Sequence, residues 1–159
     1  MNVILEGPDG GGKSTLAAKL GKTIGARVQV GNGPPRNASE IEGRMRDYNA
    51  MLDVIFDRHP CVSQPIYGAL RGEDVTSLQR ALIDEFYGTH NLFIYCRATS
   101  VGRHAVKAGE DPQHIAILTS RYAELVTAYD VWALTHANVV YRIGDDVSQI
   151  VDIVRVVAG

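Results

Sequence analysis

Met1-Asn2-Val3-Ile4-Leu5-Glu6-Gly7-Pro8-Asp9-Gly10-Gly11-Gly12-Lys13-Ser14-Thr15 is the stretch that decides the fold. Val3, Ile4 and Leu5 read as a short apolar strand, the glycines follow at once, and Leu16-Ala17-Ala18-Lys19-Leu20 begins a helix. Within it, Gly7-x-x-x-x-Gly12-Lys13-Ser14 is a complete phosphate-binding loop in its strand–loop–helix setting. Glycines let successive backbone N–H groups turn inward around phosphate oxygens without Cβ clashes. The helix behind them adds the positive end of its dipole. Lys13 is then placed for the β- and γ-phosphates and the Ser14 hydroxyl for Mg²⁺. Gly7, Gly10, Gly11, Gly12, Lys13, Ser14 and Thr15 are the candidate ATP-binding residues.

The 159 residues suit one domain with a single core. Hydrophobic content of 45% and a net charge of −2 are those of an ordinary soluble protein. They exclude a globally basic nucleic-acid binder, so any DNA contact needs a local patch. Cys61 and Cys96 lack metal-ligand spacing and read as reduced thiols. The first apolar run is too short for a signal peptide or a membrane span, so a cytoplasmic location is expected.

Strands alternate with helices along the chain, the pattern of a parallel α/β sheet with helices on both faces. Strands are predicted over 3–5, 26–30, 52–56, 91–96 and 138–142. Helices are predicted from Leu16, over 40–51 with Ser39 as N-cap and Glu42 in a capping box, over 76–86, from about Val101, over 113–135 and over 147–157. A polar loop is expected from Asp57 to about Glu73. Tyr122, Leu125, Val126, Tyr129 and Trp132 fall at helical spacing and read as core.

Ile55-Phe56-Asp57-Arg58-His59 places an acid and an arginine at a strand's carboxyl end, where open α/β sheets bind ligands. Such an aspartate can join the Mg²⁺ shell, and the arginine can neutralise charge on a transferring group. The metal candidates are therefore Ser14 and Asp57. The five histidines have no i, i+4 ligand spacing, and His59 stands out only as the neighbour of Arg58.

Leu5-Glu6-Gly7-x-Asp9-Gly10-x-Gly12-Lys13-Ser14-Thr15, followed by Asp57-Arg58-His59 with Ser63 and Tyr67 beyond, resembles the thymidylate kinases and their phage relatives. The resemblance implies a P-loop kinase fold with a five-stranded parallel sheet. It makes Asp9 a contact to the acceptor sugar and Arg58 a contact to the acceptor phosphate. Gly33-Pro34-Pro35-Arg36 stands where that family has an Arg-Glu-Pro-Gly turn, which makes Arg36 a further acceptor-phosphate candidate beside Ser63 and Tyr67. The resemblance also implies a basic lid around residues 97–112. Because Gly10 stands where some members carry arginine, a lid residue must supply that charge. Arg103 is the first candidate, Lys107 the second, and Arg97 joins the ATP-binding set. Arg97-Ala98-Thr99 is also similar to the deoxynucleoside kinases.

Only 41 residues separate Thr15 from Asp57, a shorter span than thymidylate kinases use. The acceptor-binding segment around 31–51 is thus reduced and more open. The expected activity is an ATP- and Mg²⁺-dependent transfer of phosphate to a thymidine-like deoxynucleoside monophosphate, with Lys13, Asp57, Arg58, Arg103 and Asp9 catalytic. The alternative is transfer to the hydroxymethyl group of 5-hydroxymethyluracil in phage DNA, with Arg36, Arg44 and Arg46 as the DNA patch and a host cytoplasm as the setting. A free nucleoside acceptor is a lesser option. A nucleotide-binding switch or non-catalytic module is disfavoured, because no Asn-Lys-x-Asp guanine-reading segment occurs. The expected partners are ATP and the acceptor, with a second copy of the chain as a candidate and no membrane.

Overall fold

The computed structural model describes residues 1–98 and 112–158. Apolar runs bounded by glycine and polar turns form β1 (Asn2–Glu6), β2 (Arg27–Val30), β3 (Val54–Asp57), β4 (Asn91–Cys96) and β5 (Val139–Tyr141). They make one sheet in the order β2-β3-β1-β4-β5, and every neighbouring pair is parallel. The expected α/β architecture is therefore the observed one.

Side-chain alternation sends each strand's residues to two covered faces, which is why the strands are apolar on both sides. Val3, Leu5, Ile55, Leu92 and Ile94 share a core with α1 (Lys13–Ile24) and α6 (Val147–Ala158). Ile4, Phe56, Phe93 and Tyr95 face α2 (Ala38–Asn49), α3 (Pro60–Leu70), α4 (Ser77–Tyr87) and α5 (Pro112–His136). Tyr122, Leu125, Tyr129 and Trp132 are buried in that second core with Val126 packed against it, as their spacing predicts. β1 leads to β2 on one side while β3 leads to β4 on the other, so the chain reverses direction across the sheet between β1 and β3. A crevice at the carboxyl ends of these two strands follows from that topology.

Several local predictions need correction. The polar loop expected after Asp57 is mostly helix: α3 begins at Pro60, where a missing N–H costs nothing, and buries Cys61, Val62 and Tyr67. The cap of α2 is Asn37, whose side chain accepts from Glu40 N, not Ser39. Glu42 forms no capping box and instead accepts from Thr76 Oγ1 at 2.9 Å. β3 starts at Val54, because Asp53 adopts a left-handed φ of 56° and pairs with the Met1 ammonium, leaving Leu52 74% exposed. The helix expected from Val101 lies outside the described residues. So does most of the lid, including Arg103 and Lys107.

His59 is 0% exposed and stacks on Phe86, ring centroids 4.1 Å apart. Its Nδ1 accepts from Cys61 N as the cap of α3, and its Nε2 has no hydrogen-bond partner among the described residues. Burial pulls its pKa down to about 3. The folded state therefore binds one proton fewer than the unfolded state between about pH 3 and 6.5, and stability falls as pH drops through that window. The expected slope is roughly 1.4 kcal/mol per pH unit from this one group. His59→Asn keeps a cap acceptor, loses the ring packing, and should flatten the slope. Denaturant unfolding between pH 4 and 7 checks this, and a slope unchanged in the variant would refute it.

Candidate active site

The phosphate loop is pressed against the end of β4. A Cβ at Gly7, whose φ is 147°, would lie 2.2 Å from the Cys96 carbonyl oxygen, and one at Gly11 would lie 2.3 Å from the same atom. Only glycine fits at either place, which leaves a bare backbone rim of the kind that cradles phosphate. Gly12, at φ 78°, caps α1. Lys13 is buried at 6% exposure, its ammonium donating to the Pro8 carbonyl at 2.7 Å across the loop. Burial, then the nearby Arg58 charge, pull Lys13 down to about 8.

Parallel register sets Leu5 beside Asp57, which carries the buried Asp57 carboxylate to the first turn of α1. There Ser14 Oγ donates to Asp57 Oδ2 at 2.5 Å. A hydroxyl and a carboxylate joined at the head of the phosphate loop are hard oxygen donors, and they fit a partly hydrated Mg²⁺. The other cofactor-binding candidate of this helix, Thr15, is exposed on its first turn.

Arg58 adopts a left-handed φ of 71°, rare for a side chain of this size. Two hydrogen bonds fix that turn: Arg58 N to Leu5 O at 3.0 Å and His59 N to Glu6 Oε1 at 2.6 Å. The turn aims the guanidinium back over the loop. Its Nη2 donates to Asp9 Oδ1 at 2.8 Å and its Nη1 to the Tyr67 hydroxyl at 2.5 Å. Tyr67 in turn donates to Asp9 Oδ2 at 2.7 Å, closing a ring of three side chains. Tyr122 donates to the Asp9 carbonyl at 2.6 Å and so tethers the loop to α5. Burial opposes the Arg58 charge, but Tyr67, Asp9, Tyr129 and Glu6 outweigh it and hold the guanidinium protonated.

The structure thus brings together Asp9, Lys13, Ser14, Asp57, Arg58 and Tyr67. Ser63 sits one turn into α3 with its hydroxyl on the His59 carbonyl, away from the ring. Arg97 pairs with Asp130 at 3.2 Å, as does the Tyr95 hydroxyl, and so is tied to α5. Arg36 is 90% exposed at the α2 N-terminus. It stands at the mouth of a cavity of about 380 Å³ between α2, α3 and the residues leading into α4. Sequence reasoning assigned no part in the site to Glu6, and read Tyr122 and Tyr129 only as core. Glu6 is fully buried, accepts from His59 N and from Tyr129 OH at 3.0 Å, and is pushed up to about 7 by burial. Arg58, the His59 N–H and Lys13 work against that rise. Its signal was a lone carboxylate ending an apolar strand.

No family model matches the chain, and no curated protein matches it in sequence. Solved structures do match its fold over nearly its whole length. The YorR protein of Bacillus subtilis, solved with phosphorylated GDP, aligns with a TM-score of 0.65 at 21% identity, covering 99% of this chain and 96% of that one. The deoxyadenosine kinase of M. mycoides, solved with dCMP and a flexible dCDP, gives 0.55 at 17%, covering 98% and 96%. The shikimate kinase of Aquifex aeolicus gives 0.54 at 10%, covering 99% and 96%. The fold is that of the P-loop kinases.

The depressed Lys13 pKa has a consequence for nucleotide binding. A phosphate on the loop favours the ammonium, so binding raises this pKa and takes up a proton above about pH 8. Affinity for ATP should hold steady from pH 7 to 8 and then fall by up to roughly tenfold per pH unit. In Lys13→Met the fall should vanish. Titration of a fluorescent ATP analogue across pH 7–9.5 checks this.

Proposed function

We propose that this chain is an ATP- and Mg²⁺-dependent phosphotransferase whose acceptor is a thymidine-like deoxynucleoside monophosphate. One observation carries the reading. The Ser14–Asp57 pair and the Asp9–Arg58–Tyr67 ring form at the ends of the adjacent parallel strands β1 and β3 and in the segments that follow them, with Lys13 in the same phosphate loop. Donor phosphates and an anionic acceptor would each find a cationic, hydrogen-bonding seat within one crevice. The deoxyadenosine kinase similarity, solved with a deoxynucleotide, supports a nucleotide-type acceptor. We read residues 1–159 as one such domain, with its lid around 97–112 and a reduced acceptor-binding segment around 31–51.

Phosphoryl transfer is chiefly positioning and charge stabilisation. An acceptor phosphate oxygen attacks the γ-phosphorus, a new P–O bond forms, and the bond to the β,γ-bridging oxygen breaks to release ADP. Ser14 and Asp57 would hold Mg²⁺, whose charge would offset that of the donor phosphate oxygens. Lys13 swings from the Pro8 carbonyl to those oxygens. Arg58 exchanges the Asp9 carboxylate for the acceptor phosphate, a bidentate charge-assisted contact, and Asp9 is freed for the acceptor sugar. Arg103, or Lys107 after it, is the lid residue proposed to complete the charge around the transferring group.

The DNA reading has weaker support. Of its expected basic patch, Arg44 is engaged by Glu40 and the Gly33 carbonyl, and Arg36 by Glu40. Arg46 is exposed.

Lys13→Ala should lower turnover about 10²-fold or more while leaving a folded protein, by analogy with removal of one preorganised donor. Near-normal turnover of the folded variant would refute the phosphotransferase reading. Arg58→Ala should raise the acceptor KM roughly 10- to 150-fold, the worth of a charged hydrogen bond. A salt titration separates the acceptors. Turnover of a free monophosphate should be nearly insensitive to salt, whereas transfer to DNA should weaken steeply. Label appearing only in modified DNA would overturn the first choice.

A further inference from the structure

α3 presents two working faces. Tyr67 points to Asp9 and Arg58, while Gln64, Pro65 and Gly68 form a wall of the cavity of about 380 Å³. That volume is within the range of small-molecule sites. The opposite walls are Ile41 of α2, Val75 and Gln79. Among these residues Gln79 is unusual. It is 4% exposed, yet its side-chain amide has no hydrogen-bond partner among the described residues, whereas a buried amide is ordinarily satisfied. Its position is well fixed. Its backbone N donates to Thr76 Oγ1 at 3.1 Å, and that hydroxyl donates to Glu42 on α2 at 2.9 Å. The amide is therefore held against the cavity with both its donor and its acceptor unspent.

Charge narrows what the cavity can take. Glu73 on its rim is neutralised by Arg71 at 2.8 Å, and the cavity's own cation, Arg36, is 90% exposed at the mouth. Gln79, the most buried polar side chain of the wall, shares it with the apolar Ile41, Pro65 and Val75, while Asn37, Gln64 and Asp74 are its further polar residues. A sugar acid or polyol carboxylate would meet no buried cation there. A flat heteroaromatic ring would bury its faces on the apolar walls and offer an edge to the amide.

We propose that this cavity is the base subsite of the acceptor and that Gln79 reads the base, its Oε1 accepting from a ring N–H and its Nε2 donating to the adjacent carbonyl oxygen. The inference rests on the nucleotide-kinase reading above and adds the residue that sets base preference. Thymine and uracil present that N–H and carbonyl side by side, so a base of this class pairs with both ends of the amide. A free nucleotide and a base turned out of single-stranded DNA share this chemistry.

The test is binding without ATP, so it does not depend on turnover. Affinities of dTMP and of 2-deoxyribose 5-phosphate, which lacks the base, are measured by calorimetry for the parent, Gln79→Leu and Gln79→Glu. Thermal unfolding accompanies each measurement. Gln79→Leu should weaken dTMP roughly 10- to 100-fold, because two hydrogen bonds to the base are lost in a desolvated site, and should leave the baseless sugar phosphate unchanged. Gln79→Glu cannot donate, so it should shift the dTMP-to-dCMP affinity ratio toward dCMP, whose amino group donates. This ratio reads the inference even if the leucine variant fails to fold. Equal losses for dTMP and the sugar phosphate, or an unchanged ratio in Gln79→Glu, would overturn the assignment. A single-stranded oligonucleotide with thymine or an abasic site at one position forms the second arm. A base-dependent loss seen only there would support Gln79 as the base reader and overturn the free-monophosphate reading instead.

Discussion

The site depends on one buried carboxylate. Glu6 ends β1 with no exposure and spends both oxygens within the protein, one on the His59 amide at 2.6 Å and one on the Tyr129 hydroxyl at 3.0 Å. The first bond fixes the residue after Arg58 and so holds the left-handed turn from which the guanidinium is aimed. The second ties β1 to α5, the helix that also reaches the loop through Tyr122. A buried carboxylate is costly unless cations and donors surround it. Arg58 and Lys13 offset part of that cost, though burial still dominates and holds the Glu6 carboxyl up at about 7. The three groups are electrostatically linked, Arg58 and Lys13 each favouring the Glu6 carboxylate.

Around that group the fold supplies position more than chemistry. Two adjacent parallel strands end together, one in a glycine loop and one in an Asp-Arg turn, and their register alone sets Ser14 against Asp57. The close contact of Gly7 and Gly11 with the Cys96 carbonyl fixes the loop height. Asp9 then has two duties. Without acceptor it neutralises Arg58 and, with Tyr67, keeps the guanidinium oriented. An arriving phosphate replaces one carboxylate partner with a more highly charged one, so much of the cost of ordering the arginine is met before binding.

Much of this was legible in the sequence because the phosphate loop fixes its own setting. Glycine spacing, the lysine and serine, and the apolar run before them permit one local geometry, and the structure reproduces it. The two-faced core followed from strands without polar alternation. The misses have physical causes. α3 read as a loop because Pro60, Pro65 and Gly68 punctuate a helix whose buried side is carried by Cys61, Val62 and Tyr67. Tyr122 and Tyr129 were correctly read as core from their spacing, but spacing does not show where a hydroxyl points, and theirs reach Asp9 and Glu6. Gln79 occupies an ordinary polar position of an amphipathic helix, and only the packing of α2 against α4 shows that it is buried. The pairing of Arg97 with Asp130 on α5 could not be foreseen from residues 33 positions apart.

The central claim is that one crevice seats both a nucleoside triphosphate and an anionic deoxynucleotide. The most direct measurement incubates the protein with γ-labelled ATP and Mg²⁺, in parallel with each deoxynucleoside monophosphate and with DNA containing hydroxymethylated pyrimidines, and resolves the labelled products. Acceptor-dependent label in a deoxynucleoside diphosphate, strongest for the thymine nucleotide, is the predicted result. Release of labelled phosphate at a rate indifferent to every acceptor, with no labelled nucleotide or DNA formed, would contradict the account.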